Sequence, residues 1–328
     1  MLICPHSGIG NQIGNYVFGQ FLIYINAVEY KETPDKNNTN NIGLRFLFLE
    51  DETIDRTFVL NKFNTNLIQA SKEDVERFLK AETDFRLYFS LINNIKYSKK
   101  EYFNSFYKVL TRIRTKYHFY PFKTPALMAK TVSYRDILKI VSNKNLKPAK
   151  QKKLIGNVAV CDCYSPIKEF YNQDFREKMK EHFTLKEELD EKNSEVLEKI
   201  RACKNSVGVH IRRGDYIGLK IPVVRKEFIL EKMRILNEKF NDKKDAAQFF
   251  IFSDGIDWAK ENLIESGISN LHFININDEN HGYLDFSLLN TCCHRIYSAS
   301  SFSSWAQYLN PYKNSIEFYP EKKDLVIE

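Results

Sequence analysis

Residues able to do chemistry collect at four points of the chain. The first is Val207-Gly208-Val209-His210-Ile211-Arg212-Arg213-Gly214-Asp215, an apolar run that ends in an imidazole, two guanidiniums and a carboxylate. Such a run predicts a buried strand, and in open α/β sheets ligands bind at the carboxyl ends of strands. Burying two adjacent guanidiniums there costs several kcal/mol unless an anion accompanies them, and a diphosphate, which accepts bidentate bonds, would be such an anion. Two plainer readings stand beside this one: an ion pair of the arginines with Asp215, and a hydrogen-bonded core role for His210. Arg213-Gly214-Asp215 also spells an adhesion tripeptide, but an adhesion loop would be exposed rather than joined to a buried strand.

The second point is His6-Ser7-Gly8-Ile9-Gly10-Asn11-Gln12. Gly8 and Gly10 permit a tight turn and close backbone approach, and the N–H groups of a following helix suit an oxyanion or sugar hydroxyls. No G-x-G-x-x-G is completed, so a plain strand-to-helix turn explains this segment equally well when it is taken alone. At the third, the run Phe249-Phe-Ile-Phe252 stops at Ser253-Asp254-Gly255. Asp254 there could hold ribose hydroxyls or guanine N–H groups, or cap the next helix. The fourth is Ser298-Ala-Ser300-Ser301-Phe302-Ser303-Ser304, with five serines in seven residues, more than one N-cap needs and suited to a phosphate cradle.

The elements that must position these groups follow from hydrophobic pattern. Met1–Cys4 predicts a short strand, about 11–26 a helix, 31–42 an Asn-rich loop and 44–49 a second strand, which together indicate an α/β unit. From about 71 to 155 the chain is helical, aromatic and basic; Lys144, Lys147, Lys150, Lys152 and Lys153 around Pro148 read as a solvated connector. Segment 101–120 interleaves Phe103, Phe106, Tyr107, Leu110 and Ile113 with basic residues, either an ordinary surface helix or one that lies on a membrane. From Val207 strands and helices alternate: strand 207–211, helix 225–240, strand 248–252, helix 257–265, strand 271–276, a short helix near 285–290, strand 295–298 and a helix from about 302. Ile229, Met233, Leu236 and Phe240 fall on one helical face, and the whole predicts a doubly wound domain.

The 328 residues carry 49 Lys and Arg against 42 Asp and Glu, a net charge of +7, with 43% hydrophobic and 28% charged residues. These are globular values and exclude disordered, collagen-like and coiled-coil classes. The positive balance favours anionic partners, whether nucleic acid, membrane surface or phosphorylated substrate, although most such excess is solvated surface. Six cysteines, at 4, 161, 163, 203, 292 and 293, show no zinc spacing and read as free thiols. The N-terminal residues lack a signal-peptide pattern, and no stretch approaches the eighteen or so apolar residues of a membrane span, so a cytoplasmic location is expected.

Taken in order, the four segments resemble the bacterial α-1,2-fucosyltransferases of glycosyltransferase family eleven. His210-Ile-Arg212-Arg213-Gly-Asp215 fits that family's H-x-R-R-x-D, Gly8-x-Gly10-Asn11-Gln12 its G-x-G-N-Q, and Phe250-Ile-Phe-Ser253-Asp254 its strand ending in F-S-D. Asp285-Phe-Ser-Leu-Leu and Cys293-His-Arg-Ile, leading to Ser300-Ser-Phe-Ser303, resemble its C-terminal block. The chain departs from the pattern at Gly255, Ala299 and Ser304, where Asp, Asn and Trp are usual, and Cys163-Tyr-Ser-Pro166 lacks the usual Gln.

The resemblance implies an α/β chain of GT-B type, two Rossmann-like domains facing a cleft: residues 1–204 on the acceptor side, with the helical insertion at about 71–155, and residues 205–328 binding the GDP-sugar. It implies inverting, metal-independent transfer of L-fucose from GDP-β-L-fucose to a galactoside hydroxyl, α-1,2-linked, on a surface glycan such as O-antigen or lipopolysaccharide. Arg212, Arg213 and Asp215 would be catalytic, Arg212 foremost at the β-phosphate and Asp215 as base or as orienter of the arginines. His210, Ser253, Asp254, Asp285, Ser300, Ser301, Phe302 and Ser303 would hold the donor, and Gly8, Gly10, Asn11 and Gln12 would face sugar or acceptor. The partners are then a nucleotide-sugar donor and an oligosaccharide or glycolipid acceptor, with no cofactor, no metal and no nucleic acid; peripheral attachment to the inner membrane face stays open. The alternatives are transfer of a different nucleotide-linked sugar and, in another class, a basic protein binding nucleic acid or a membrane surface.

Overall fold

A computed structural model describes residues 1–27, 43–48, 57–71, 73–74, 132–156, 158–167, 169–242, 244–264 and 267–328. The predicted loop 31–42, the amphipathic segment 101–120 and most of the helical insertion lie outside these residues. The chain divides into two compact units, Met1–Asn61 with Thr65–Phe175, and Lys62–Asn64 with Arg176–Glu328. The sequence places the division at 204/205; residues 176–204 instead group with the second unit.

The first unit opens with β1 (Leu2–Ile3) and α1 (Ile9–Tyr24), continues to β2 (Arg45–Phe46), and ends with α2 (Tyr134–Val141), α3 (Pro148–Gly156) and β3 (Ala159–Val160). The three strands form a parallel sheet in the order β2-β1-β3, the arrangement expected when α1 crosses from β1 to its neighbour. Helix α1 is buried nearly all round: from Gly10 to Leu22 every residue but Asn11 is buried, the polar Gln12, Asn15 and Gln20 included. Small residues let it sit close: a Cβ at Gly14 would strike the Cys163 carbonyl, and one at Gly19 would press on Phe46 and Ile3. The lysine-rich connector is helical from Pro148 onward. Pro148 starts α3, where its missing N–H costs nothing, and Leu154 and Ile155 are buried while Lys144, Lys147 and Lys150 are exposed.

Helix α4 (Gln173–His182) straddles the division, and α5 (Glu191–Ala202), capped by the Asp190 carboxylate on Asn193 N–H, leads into the second unit. There follow β4 (Ser206–Ile211), the short helix α6 (Gly214–Gly218), β5 (Val223–Val224), α7 (Lys226–Lys239), β6 (Gln248–Ser253) and α8 (Ile256–Leu263). The rest comprises β7 (Leu271–Ile274), α9 (Gly282–Thr291), β8 (His294–Ile296), α10 (Ser301–Tyr308), β9 (Glu317–Phe318) and β10 (Leu325–Val326). The predicted elements from 207 onward are all present, with ends shifted by a few residues.

Five strands form one parallel sheet in the order β7-β6-β4-β8-β9. The chain starts in the middle at β4, winds outward through β6 and β7, and returns past β4 to add β8 and β9. That reversal makes a switch point between β4 and β8, the place where wound α/β sheets bind ligands. β4 is buried at every residue because helices cover both faces; Val207, Val209 and Ile211 pack with Met233 and Leu236 of α7 and with Phe249, Ile251 and Ile296. On the opposite face a Cβ at Gly208 would come within 2.5 Å of Leu289 of α9 and press on Cys292, so glycine lets that helix sit close. A small annex, β10 antiparallel to β5 with Leu325 opposite Val224 and Val326 opposite Val223, was not foreseen from sequence.

Candidate functional site

The carboxyl end of β4 delivers Arg212 and Arg213 to the top of the sheet, and the neighbouring strand ends close around them. Arg212 donates from one terminal nitrogen to Asp215 Oδ1 (2.5 Å) and from the other to Asp254 Oδ2 (2.8 Å), Asp254 being the residue after β6. The second oxygen of Asp254 accepts from the Arg213 backbone N–H (2.7 Å), so one carboxylate ties both strand tips. A Cβ at 214 would overlap Asp254 Oδ2, so a side chain there would displace the carboxylate that ties the two strand tips. Arg213 is engaged differently: both terminal nitrogens meet the Glu328 carboxylate, and its guanidinium carbon lies 3.9 Å from the centroid of the Trp258 ring.

The sequence predicts an external anion beside this pair of guanidiniums. The chain also supplies carboxylates of its own there, Asp215, Asp254 and Glu328. The plainer ion-pair reading therefore describes Asp215, and Asp254 orients arginines rather than capping α8, whose cap position is Gly255. The two arginines also part company. The Arg213 side chain is 8% exposed, with Glu328 on its terminal nitrogens and Trp258 on one face, whereas that of Arg212 is 24% exposed beside an Asp215 side chain 43% exposed, so of the two arginines Arg212 is the more open to a ligand.

Across the switch point, Ser298 after β8 joins the two strands: its hydroxyl donates to the His210 carbonyl (2.9 Å) and accepts from Arg212 N–H (2.9 Å). The His210 ring bonds Ser303 Oγ through Nδ1 (2.7 Å) and stacks on Phe302 at 4.4 Å, and Phe302 in turn meets Phe286 edge-on. Burial, with the charge of Arg212 added, pushes this imidazole down to about 3, so it is neutral at physiological pH. His210 is thus the hydrogen-bonded core residue of the simpler reading. Ser300 caps α10, accepting from Ser303 N–H (3.1 Å), and Ser304 bonds the Ser300 carbonyl and Tyr319. Much of the serine run is thereby used internally; Ser301, half-buried in the first turn of α10, makes no side-chain hydrogen bond among the described residues. Ser253 accepts from Gly255 N–H (3.0 Å) and shapes the turn.

Asp285 stands elsewhere, in the first turn of α9. Asn277 donates to it (2.7 Å), Asn193 lies behind Asn277, and burial pushes the Asp285 carboxyl up to about 6. In the first unit Gln12 is fully buried and spent: its amide nitrogen donates to the Ser7 and Thr57 carbonyls, and its oxygen accepts from Val59 N–H. The sequence pointed Gln12 at sugar or acceptor; it is a brace under the turn. Asn11 and Gly8 stay partly exposed at the start of α1, with open space where a Gly8 Cβ would be, and Gly10 is buried. Sequence reasoning missed Trp258, Glu328, Tyr216 and Asn277. None sits in a motif, and only Tyr216, directly after Asp215 and 5.1 Å from the Arg212 guanidinium, had a positional signal.

Among the described residues no group of His, Cys, Asp and Glu is arranged to hold a metal ion, and no helix is long and apolar enough to cross a membrane. The cysteines are free, and burial pushes Cys161 and Cys292 up to about 12.

Comparison with known proteins bears on three of the four segments, those from 207 onward. The profile described as "Glycosyl transferase family 11" matches residues 59–322. An alpha-1,2-colitosyltransferase of Escherichia coli is 37% identical over 160 residues, 46% of this chain and 52% of that protein. A galactoside alpha-(1,2)-fucosyltransferase 1 of Aotus azarae is 33% identical over 143 residues, 41% of this chain and 38% of that protein. The match thus spans about half the length of these curated relatives or less. Among solved structures, the NodZ alpha-1,6-fucosyltransferase soaked with GDP-fucose superposes with a TM-score of 0.48 at 12% identity, covering 100% of this chain and 98% of that one.

Proposed function

Since the chain belongs to Glycosyl transferase family 11, we propose that it moves L-fucose from GDP-β-L-fucose to a galactoside hydroxyl, forming an α-1,2 linkage with inversion and without a metal ion. The parallel α/β sheet in each unit is what a GT-B chain requires. The observation that carries the reading is Arg212, a partly exposed guanidinium fixed by two carboxylates at the switch point of a wound sheet. As the glycosidic bond breaks, negative charge grows on the β-phosphate, and a positive group already held in place lowers the barrier because it need not reorganise. Asp215, the more exposed of its partners, yields one guanidinium nitrogen to a phosphate oxygen, while Asp254 keeps the other. The Ser301 hydroxyl and the first N–H groups of α10 add donors to the same anion. The acceptor is the galactoside end of a surface glycan such as O-antigen or lipopolysaccharide, with Asn11 and Gly8 on the acceptor side.

The colitosyltransferase relative supports a second reading, transfer of colitose through the same residues. A donor-by-acceptor screen with product linkage read by NMR separates the two. Within it, Arg212→Ala loses about 10²- to 10³-fold in kcat, some 3 to 4 kcal/mol, as when an enzyme loses one oxyanion donor. Turnover by Arg212→Ala near the wild-type rate would refute the assignment.

A further inference from the structure

Arg213 is the second guanidinium of the motif, yet it faces inward. Its charge is neutralised by Glu328, from a segment 115 residues away, and one face lies on Trp258. The arrival of Glu328 is built, not incidental. Residues 321–324 form a capping box, Arg225 N–H donates to the Asp324 carbonyl, Arg225 Nε to the Leu325 carbonyl, and β10 pairs with β5 in fixed register. This strap ends two residues before Glu328.

We propose that Glu328 is a positioning residue for sugar-nucleotide binding, acting through Arg213 and Asp254 on Arg212. Asp254 stands between the two arginines, with one oxygen on Arg213 N–H and the other on the Arg212 guanidinium. A buried guanidinium that loses its carboxylate is left as an uncompensated charge, which favours pairing with another carboxylate within reach. For Arg213 a carboxylate at hand is that of Asp254, which already accepts from its backbone N–H and lies against Gly214. Glu328 holds Arg213 away from Asp254 and so leaves Asp254 to aim Arg212 at the incoming phosphate. The inference rests on the donor reading proposed above and adds to it a residue outside every motif in the chain.

The test compares wild type, Glu328→Gln, Arg213→Met and the double variant in the 328-residue chain, well below their unfolding temperatures. GDP affinity is measured by calorimetry, and kcat and KM with GDP-fucose. Glu328→Gln is expected to raise the GDP Kd and the donor KM at least fivefold. In the Arg213→Met background the same change should add less than twofold, because no competing guanidinium remains. A purely structural link would lower the unfolding temperature and leave GDP Kd and kcat/KM within twofold of wild type; that result, or tighter GDP binding by Glu328→Gln, overturns the proposal. Wild-type protein that bound no nucleoside diphosphate would overturn the donor reading itself, and this inference with it.

Discussion

Asp285 shows how one carboxyl can report its surroundings. It is held in the first turn of α9 with Asn277 as its donor, and burial pushes it up to about 6 from the ordinary value near 4. A carboxyl raised in the folded state stabilises fully below its unfolded value and loses that contribution as pH rises through the folded one. Wild type therefore loses stability from this group between about pH 4 and pH 6. Asp285→Asn keeps an oxygen for Asn277 and removes the charge, so the variant should be more stable than wild type at pH 7 by on the order of 2 kcal/mol, with the two converging below pH 4. Urea titrations at the two pH values measure this, and equal stabilities at pH 7 would show that the carboxyl is better solvated than its burial implies.

At the scale of elements, α1 separates two glycines that look alike in sequence. Gly14 lies where a Cβ would strike the Cys163 carbonyl, so Gly14→Ala forces α1 off the segment after β3 and should cost about 1 to 3 kcal/mol. Gly8 precedes the helix with φ −65° and open space around its would-be Cβ, so Gly8→Ala should be neutral or stabilise by up to about 1 kcal/mol through the unfolded chain. Thermal unfolding of both variants checks the contrast. If Gly8→Ala is stable yet slow in transfer, a ligand rather than the fold requires the bare backbone there. The second unit repeats the lesson at Gly214, where the Asp254 carboxylate occupies the space of a side chain.

At the scale of the whole molecule, the residues proposed to hold the donor belong to the second unit, on the ends of β4, β6 and β8 and the start of α10. Saturating GDP should therefore slow amide exchange around 211–215 and 300–303 and leave 7–12 of the first unit unchanged. At a hundred times its Kd, GDP should also raise global stability by about 2.7 kcal/mol. Protection confined to 7–12 would move the nucleotide to the first unit and undo the assignment of Arg212.

The wound sheet of the second unit was legible because its information is local. Four apolar runs separated by helical periods leave few connections open, and right-handed crossovers then put Arg212 at a strand's carboxyl end. The motif and its family resemblance were local for the same reason. What the amino acids in order do not state is which charge meets which: Arg213 pairs with Glu328 across 115 residues, and Asp254 serves both arginines across 41. The sequence also could not tell that Gln12 is consumed by backbone groups near 57–59, or that His210 turns to Ser303. Periodicity specifies the face on which a side chain lies, whereas its partner depends on chain segments brought together only by packing, and here that packing decides which guanidinium stays partly exposed.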